Sequence, residues 1–366
     1  MIIGIVCEYN PFHNGHLYQI NKVKEMYPNC LLIAIMSGNF VQRGEFSILD
    51  KFDKAKIATN CGIDLVVELP VFYATQGADM FAHGALKLAN LIGCNAICFG
   101  AEHDDINFFY RNIELTNKKE YNNKVIELLK QGLNYPTATS EALNLLGGDN
   151  INQPNDILAL RYIKEIIDNK YDIKPIIIKR TSEFNDIESD SNIISANNIR
   201  NRIKNGMDIK RYVPSSCYDI LKNKNIKNMN DFFTLIKYAI IINKDNLCDY
   251  LEINEGLANR INKWIYKSDT LDEFINNVKS KNETLNKINR VILHILLNIK
   301  KDDKYDDDEY DIDGIRVLGF NDTSRKHLKK IKKDVKLINK FSDLSDKEKT
   351  QEIFLNYIYN ITLWYC

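Results

Sequence analysis

From Ile2 to Phe99 the chain repeats one unit, a short apolar run followed by a segment with apolar residues at helical spacing. The runs Ile2–Cys7, Cys30–Met36, Leu65–Leu69 and Ala96–Phe99 are nearly unbroken in apolar residues. That is the pattern of parallel strands covered on both faces, since an exposed face would show polar residues at every second position. The intervening stretches His16–Tyr27, Asp50–Cys61 and Ala78–Leu91 read as helices. Strands alternating with helices require right-handed crossovers, so the fold class predicted is α/β, a Rossmann-like doubly wound parallel sheet. In such sheets ligands sit beyond the carboxyl ends of the strands. Pro175–Ile178 predicts a further strand, and Ile194–Lys204 a helix with Ser195 as its N-cap.

Beyond about Asp231 long helical patterns dominate, as in Phe232–Ile242 and Asn286–Leu297. A chain of 366 residues also exceeds what one compact core usually holds. Two domains are therefore expected: an α/β catalytic domain over 1–225 and a mainly α-helical domain over 226–366. Lys300–Asp313 is rich in aspartate and reads as a solvated connection; Ile315–Phe320 follows it, then a basic stretch. Arg325, Lys326, Lys329, Lys330 and Lys333, with Lys332 and Lys336, fall in one helical pattern whose apolar stripe is Leu328, Ile331, Val335 and Ile338. Net charge is zero, so a nucleic acid would have to be gripped by a local patch of this kind. The same face could instead balance the aspartates of 302–313. Tyr357, Tyr359, Trp364 and Tyr365 read as packing residues of a terminal helix. Eight cysteines include no closely spaced pairs of the zinc-binding type, so neither metal nor disulfide is expected. No apolar run approaches the ~20 residues that span a bilayer, and no charged segment precedes Ile2. A cytoplasmic protein with no membrane partner is expected.

The first strand runs directly into Glu8-Tyr9-Asn10-Pro11-Phe12-His13-Asn14-Gly15-His16, which opens the first helix. Free backbone N–H groups and the positive end of a helix dipole meet there. Gly15 has no side chain to hold a phosphate away from the backbone. His13 and His16, three residues apart, share a helical face and can donate to the same phosphoryl oxygens. A plain capping role for the pair is the alternative. Its placement just after the first strand, with glycine between, favours nucleotide binding. Farther on, Ser195 and Arg200 in Ile194-Ser195-Ala196-Asn197-Asn198-Ile199-Arg200 suit a second phosphate contact at a helix start.

The His-x-Gly-His form resembles the signature of the adenylyl-transferring superfamily that includes class I aminoacyl-tRNA synthetases and pantetheine-phosphate adenylyltransferases. Finer stretches narrow the match. Val6 to His16, Met36-Ser37-Gly38-Asn39-Phe40-Val41-Gln42-Arg43-Gly44-Glu45, Asp64 to Pro70, Phe99 to Glu102, Gln153 to Leu158, Ile178 to Arg180, Ser195 to Arg200 and Ile315 to Phe320 are together similar to the tRNA(Met) cytidine acetate ligases. The resemblance implies that ATP and acetate give acetyl-adenylate, and that the acetyl group passes to the exocyclic amine of the wobble cytidine of elongator tRNA(Met). It implies an ATP site along Val6, Cys7, Glu8, Tyr9, Asn10, Pro11, Phe12, His13, Asn14, Gly15, His16, Leu17, Tyr18 and Gln19, completed by Gly100, Asn155 and Arg180. His13 and His16 would be catalytic, with Mg²⁺ bridging phosphates, and Arg43 would neighbour acetate or tRNA. Position 181 is Thr where related chains often carry an apolar residue, which implies a local packing difference. Two other functions share parts of this pattern: a nucleotidyltransferase acting on a small phosphate ester, and a non-catalytic RNA-binding protein.

Overall fold

The computed structural model describes residues 1–180, 192–222, 224, 226–303, 312 and 314–361; Thr181, Trp364 and Tyr365, and most of the acidic stretch, lie outside them. In chain order come β1 (Ile2–Cys7), α1 (Asn14–Met26), β2 (Leu31–Ser37), the hairpin β3 and β4 (Phe40–Val41, Glu45–Phe46), α2 (Lys51–Asn60), β5 (Leu65–Leu69), α3 (Val71–Ala74), α4 (Ala78–Ile92) and β6 (Ala96–Ala101). Four helices, α5 (Ile106–Thr116), α6 (Lys119–Lys130), α7 (Tyr135–Leu145) and α8 (Pro154–Asp168), lead to β7 (Lys174–Lys179). After α9 (Ala196–Lys204) and α10 (Ser215–Leu221) the helical part holds α11 (Phe233–Ile242), α12 (Glu255–Ile265), α13 (Leu271–Val278) and α14 (Leu285–Leu296). The chain then forms β8 (Ile315–Phe320), α15 (Arg325–Ile331), β9 (Leu337–Ile338) and α16 (Asp346–Asn360).

The central sheet has the order β7-β6-β1-β2-β5-β8-β9, parallel from β7 through β5. Its strands are buried on both faces, as the unbroken apolar runs require. Leu32, Ala34 and Met36 enter one core with Ile20, Ile57 and Ile199, from α1, α2 and α9. Ile33 and Ile35 enter the other with Phe81, Ala85 and Leu160, from α4 and α8. The second core continues into α11 through α14, so the helical part shares it.

The segment Ile315–Phe320 is an edge strand: β8 pairs antiparallel with β5, and β9 lies parallel beside it. This corrects the reading of the basic stretch. A single helix from Arg325 to Ile338 is expected from the spacing, yet α15 stops at Ile331, and Leu337–Ile338 are extended. The physical reason is the open sheet edge, where Leu337 and Ile338 register against Ile315 and Arg316.

A buried ion network ties this returning segment to the sheet. Lys51 Nζ bridges Glu68 and Glu352, each 2.8 Å away, and Arg316 reaches the same two carboxylates at 3.3 and 2.9 Å. Two cations face two anions, so the cluster is neutral as a unit. Gly38 makes room for it: a Cβ there would lie 2.2 Å from Glu68 Oε1 and push that carboxylate out of the cluster.

Candidate nucleotide site

At the end of β1 the backbone turns sharply: Tyr9 adopts φ 47° and the Asn10–Pro11 peptide is cis. His13 is the N-cap of α1. Its Nδ1 accepts from Gly15 N–H at 3.1 Å, while its own N–H donates to His16 Nδ1 at 3.2 Å. The two imidazoles stack with ring centroids 3.7 Å apart. Because each Nδ1 accepts from a backbone N–H, the neutral ring must carry its proton on Nε2. Burial holds both histidines neutral, with Arg180 nearby in each case. His13 is pushed down to about 3 and His16 well below its usual value. The pair is therefore two uncharged Nε2–H donors held rigidly. Gly15 is what allows this: a Cβ there would sit 2.9 Å from His13 Cε1 and 3.0 Å from Nδ1.

The turn is fixed from three sides. Asn10 Oδ1 accepts from Ile48 N–H at 2.8 Å, and Asn10 O accepts from Arg200 Nη1 at 2.8 Å. Asn14 Nδ2 donates to Asn192 O and Arg211 O, each at 2.9 Å. Lys54, fully buried, donates to the carbonyls of Glu8, Ser37 and Gly38 at 2.7–2.9 Å. Desolvation lowers its ammonium to about 8. Glu8 is occupied by Gln42 N–H at 2.8 Å, which fixes the β3–β4 hairpin against the turn.

The opposite wall joins β6 to α8 by a reciprocal clasp. Glu102 accepts from Asn155 Nδ2 at 2.6 Å and from Asp156 N–H at 3.1 Å. Buried Asp156 in turn accepts from the backbone N–H groups of Glu102 and His103 at 2.9 and 3.1 Å. Arg180 Nε stands 3.8 Å from Glu102. Gly100 has no protein atom within 3.4 Å of where a Cβ would be, so any need for glycine there lies with an occupant of the cavity. Ser195 caps α9 by accepting from Asn198 N–H at 3.2 Å.

Between these walls lies a cavity of about 890 Å³. Of the sequence-nominated residues, Val6, Cys7, Glu8, Tyr9, Asn10, His13, Gly15, His16, Tyr18, Gln19, Gly100, Asn155, Arg180, Ser195 and Arg200 line it. Pro11, Phe12, Asn14 and Leu17 are not part of the lining. Buried Phe12 packs against Tyr9 at 4.7 Å and His16 at 5.5 Å, and Asn14 holds the turn from outside. Cys7 lines the site as a thiol whose pKa burial pushes up to about 12. Arg43 also lines the cavity, from a hairpin tip whose Gly44 has φ 76°. A Cβ at Gly44 would lie 2.3 Å from Arg290 N, so the tip rests directly on α14.

Sequence reasoning missed the far half of the cavity, which Asp79, Tyr135, Arg161, Lys287 and Arg290 line from α4, α7, α8 and α14. One signal was available. Leu158 and Tyr162 follow Asn155 at helical spacing, so one face of α8 had to continue along the same wall. First-turn residues of α1, α4, α7, α8, α9 and α14 all contribute to the lining. Each helix start carries roughly half a positive charge, so the cavity favours anions.

The basic residues Arg325, Lys326, Lys329, Lys330 and Lys333 are exposed and belong to no part of this lining. His327 of α15 lies 2.9 Å from Ile92 O, at the carboxyl end of α4, whereas the amino end of α4 lines the cavity. With 15 residues in α4, the two ends are roughly 20 Å apart.

Fold and site together define an α/β nucleotidyl transferase built around a His-x-Gly-His helix start, and residues 1–365 match the family described as HIGH Nucleotidyl Transferase. Within that class the chain belongs to the tRNA(Met) cytidine acetate ligase family. It is 40% identical to a protein of that name from Clostridium perfringens (strain SM101 / Type A), covering 93% of this chain and 90% of the relative. It is also 40% identical to one from Mycoplasma mobile, covering 82% of this chain and all of the relative. Among solved structures, Thermotoga maritima TmcAL in its apo form I superposes with a TM-score of 0.87 at 28% identity, over 98% of this chain and 92% of that one. The form II structure, bound with alpha-thio ATP, gives 0.83 at 29% identity, over 98% and 91%. Among the described residues no helix is long and apolar enough to cross a membrane.

Proposed function

We propose that this protein activates acetate with ATP and acetylates the exocyclic amine of the wobble cytidine of elongator tRNA(Met). An acetate oxygen attacks the α-phosphorus, the P–O bond to the β-phosphate breaks, and pyrophosphate leaves with the electron pair. The cytidine N4 then attacks the acetyl carbon, the C–O bond to AMP breaks, and N4 gives up one proton as N4-acetylcytidine forms. The observation that carries the reading is the stacked pair His13 and His16. Two neutral Nε2–H donors can follow charge as it builds on the phosphoryl oxygens, without the cost of reorganising. Arg180, Ser195 and Arg200 border the same space and suit the leaving phosphates. Asn155 and Gly100 at the β6–α8 wall suit the adenosine.

Among the described residues no group of three or more His, Cys, Asp or Glu side chains is placed to hold a metal ion. The carboxylates that line the cavity are each engaged by a neighbour: Glu8 by Gln42 N–H, Asp79 by Arg161 and Glu252 by Arg290. These residues do not fit a protein-held Mg²⁺, which would arrive coordinated by the phosphates of its ATP. The tRNA backbone would be gripped on α15 by Arg325, Lys326, Lys329 and Lys330, and just beyond its end by Lys333, away from the reacting base. A tRNA substrate accords with a cytoplasmic location.

The test is acetate-dependent exchange of labelled pyrophosphate into ATP. Exchange that needs acetate and is abolished in His13→Ala supports the reading. Exchange of equal rate without acetate would instead favour transfer to a phosphate ester, and no exchange under any condition would favour a binding protein.

A further inference from the structure

The half of the cavity that sequence reasoning missed holds its own polar constellation. Asp79 lies in the first turn of α4, Tyr135 opens α7, and Arg161 follows Asn155 by six residues along α8. All three line the cavity that His13 and His16 line. Arg161 Nε stands 3.0 Å from Asp79 Oδ1. The guanidinium is largely buried, while the carboxylate is half exposed to the cavity. Arg161 Nε is nevertheless buried without an in-line hydrogen-bond acceptor among the described residues. The two charges are close enough to orient each other, yet the hydrogen-bonding capacity of the pair is not used up. Beside them Tyr135, 49% exposed, offers an aromatic ring inside a cavity rather than on an open surface. Burial and the Asp79 carboxylate raise the Tyr135 hydroxyl, partly offset by Arg161, whose guanidinium hydrogen-bonds it.

We infer that Asp79, Arg161 and Tyr135 form the subsite for the acceptor base, and that they read the Watson–Crick edge of cytosine. This rests on the function proposed above. Cytosine presents the exocyclic N4–H₂ as a donor and N3 and O2 as acceptors. A carboxylate beside a guanidinium is the complement, with Asp79 accepting from N4–H₂ and Arg161 donating to N3 and O2. A base leaving a loop to reach chemistry needs a flat surface to replace its lost stacking, and Tyr135 supplies one. Uracil would set its O4 against the Asp79 carboxylate, acceptor against acceptor, so Asp79 is the residue that discriminates cytidine from uridine. A common helix, α8, explains how the two halves of the cavity keep register. Asn155 on its first turn borders the adenosine side and Arg161 the acceptor side, on one rigid element.

The test separates the half-reactions in the full-length protein. Asp79→Asn, Arg161→Gln and Tyr135→Ala are each assayed for acetate-dependent pyrophosphate exchange and for transfer of labelled acetate to a tRNA(Met) transcript. Exchange is expected to stay within about twofold of the parent, and transfer to fall roughly ten- to hundredfold, the range that loss of one base contact gives. A transcript with uridine at the wobble position is then used as a competitor. The parent should discriminate against it by at least about tenfold, and Asp79→Asn should bring the two transcripts within about threefold, because an amide donates to O4 as readily as it accepts from N4. Unchanged transfer in all three variants, or exchange and transfer falling in parallel, would overturn the subsite. Absence of acetate-dependent exchange in the parent would overturn the underlying function, and the subsite with it.

Discussion

An imidazole has two nitrogens, and the site uses both. From the sequence, capping and phosphate binding stand as rival roles for His13 and His16; the structure shows that capping engages only Nδ1 and leaves Nε2–H for a ligand. His13→Asn should therefore keep a cap acceptor but withdraw the donor from the Nε2 position, which the shorter amide does not reach. Its melting temperature should move by no more than a few degrees, while acetate-dependent exchange falls by about 10²-fold or more. Gly15→Ala tests the same geometry from the other side. A methyl 2.9 Å from the His13 ring must displace it, so exchange should fall at least about tenfold, with the change concentrated in kcat rather than KM for ATP. The low pKa values predict an unusual pH response. Unfolded imidazoles take up protons near pH 6.5, whereas His13 in the folded chain resists until about 3 and buried His294 until about 4. Between those values the unfolded state binds more protons. Stability is thus full above about pH 6.5 and declines as pH falls toward 3. Exchange should show no inflection between pH 6 and 7, and an imidazole-like break there would contradict the neutral pair.

At the scale of elements, the strands and helices around the site were legible because burial on both faces leaves a plain imprint, an apolar run such as Leu65–Leu69 with no polar alternation. The turn after β1 was legible because histidine and glycine at that spacing have few other uses. Parts of the motifs that carry the resemblance have a structural origin rather than one in ligand contact. Glu68 and Gly38 serve the ion network and Asp64 accepts from Leu32 N–H at 2.9 Å; outside those motifs, Lys54 gathers three backbone carbonyls. Nothing in one sequence distinguishes a buried lysine from a solvated one, so these stayed hidden. Lys51→Met provides the measurement: it leaves Glu68 and Glu352 sharing only Arg316. Loss of one partner from a buried charged group costs about 3–5 kcal/mol, read from denaturant unfolding. The loss should persist in high salt, since buried pairs are screened little.

For the whole molecule, the far half of the cavity and the outer strands share one reason for being invisible in the sequence: both are assembled from segments far apart along the chain. The hairpin that carries Arg43 reaches Arg290 only because Gly44 lets it lie on α14, and the outer edge of β5 is paired only when residues 315–320 return. The helical part is thus coupled to the sheet twice, through a shared core and through β8, β9 and α16. A fragment of residues 1–225 would expose the edge of β5 and strand Lys51 and Glu68 without Arg316 and Glu352. An open apolar edge with an incomplete buried charge cluster favours association over folding. The fragment expressed alone should therefore lack a cooperative thermal transition and should aggregate. Co-expression with residues 226–366 should restore a soluble complex that unfolds in one step, because the second piece carries both missing strands and both missing charges. A monomeric 1–225 fragment with a sharp transition and intact ATP binding would mean that the returning strands decorate the sheet rather than complete it.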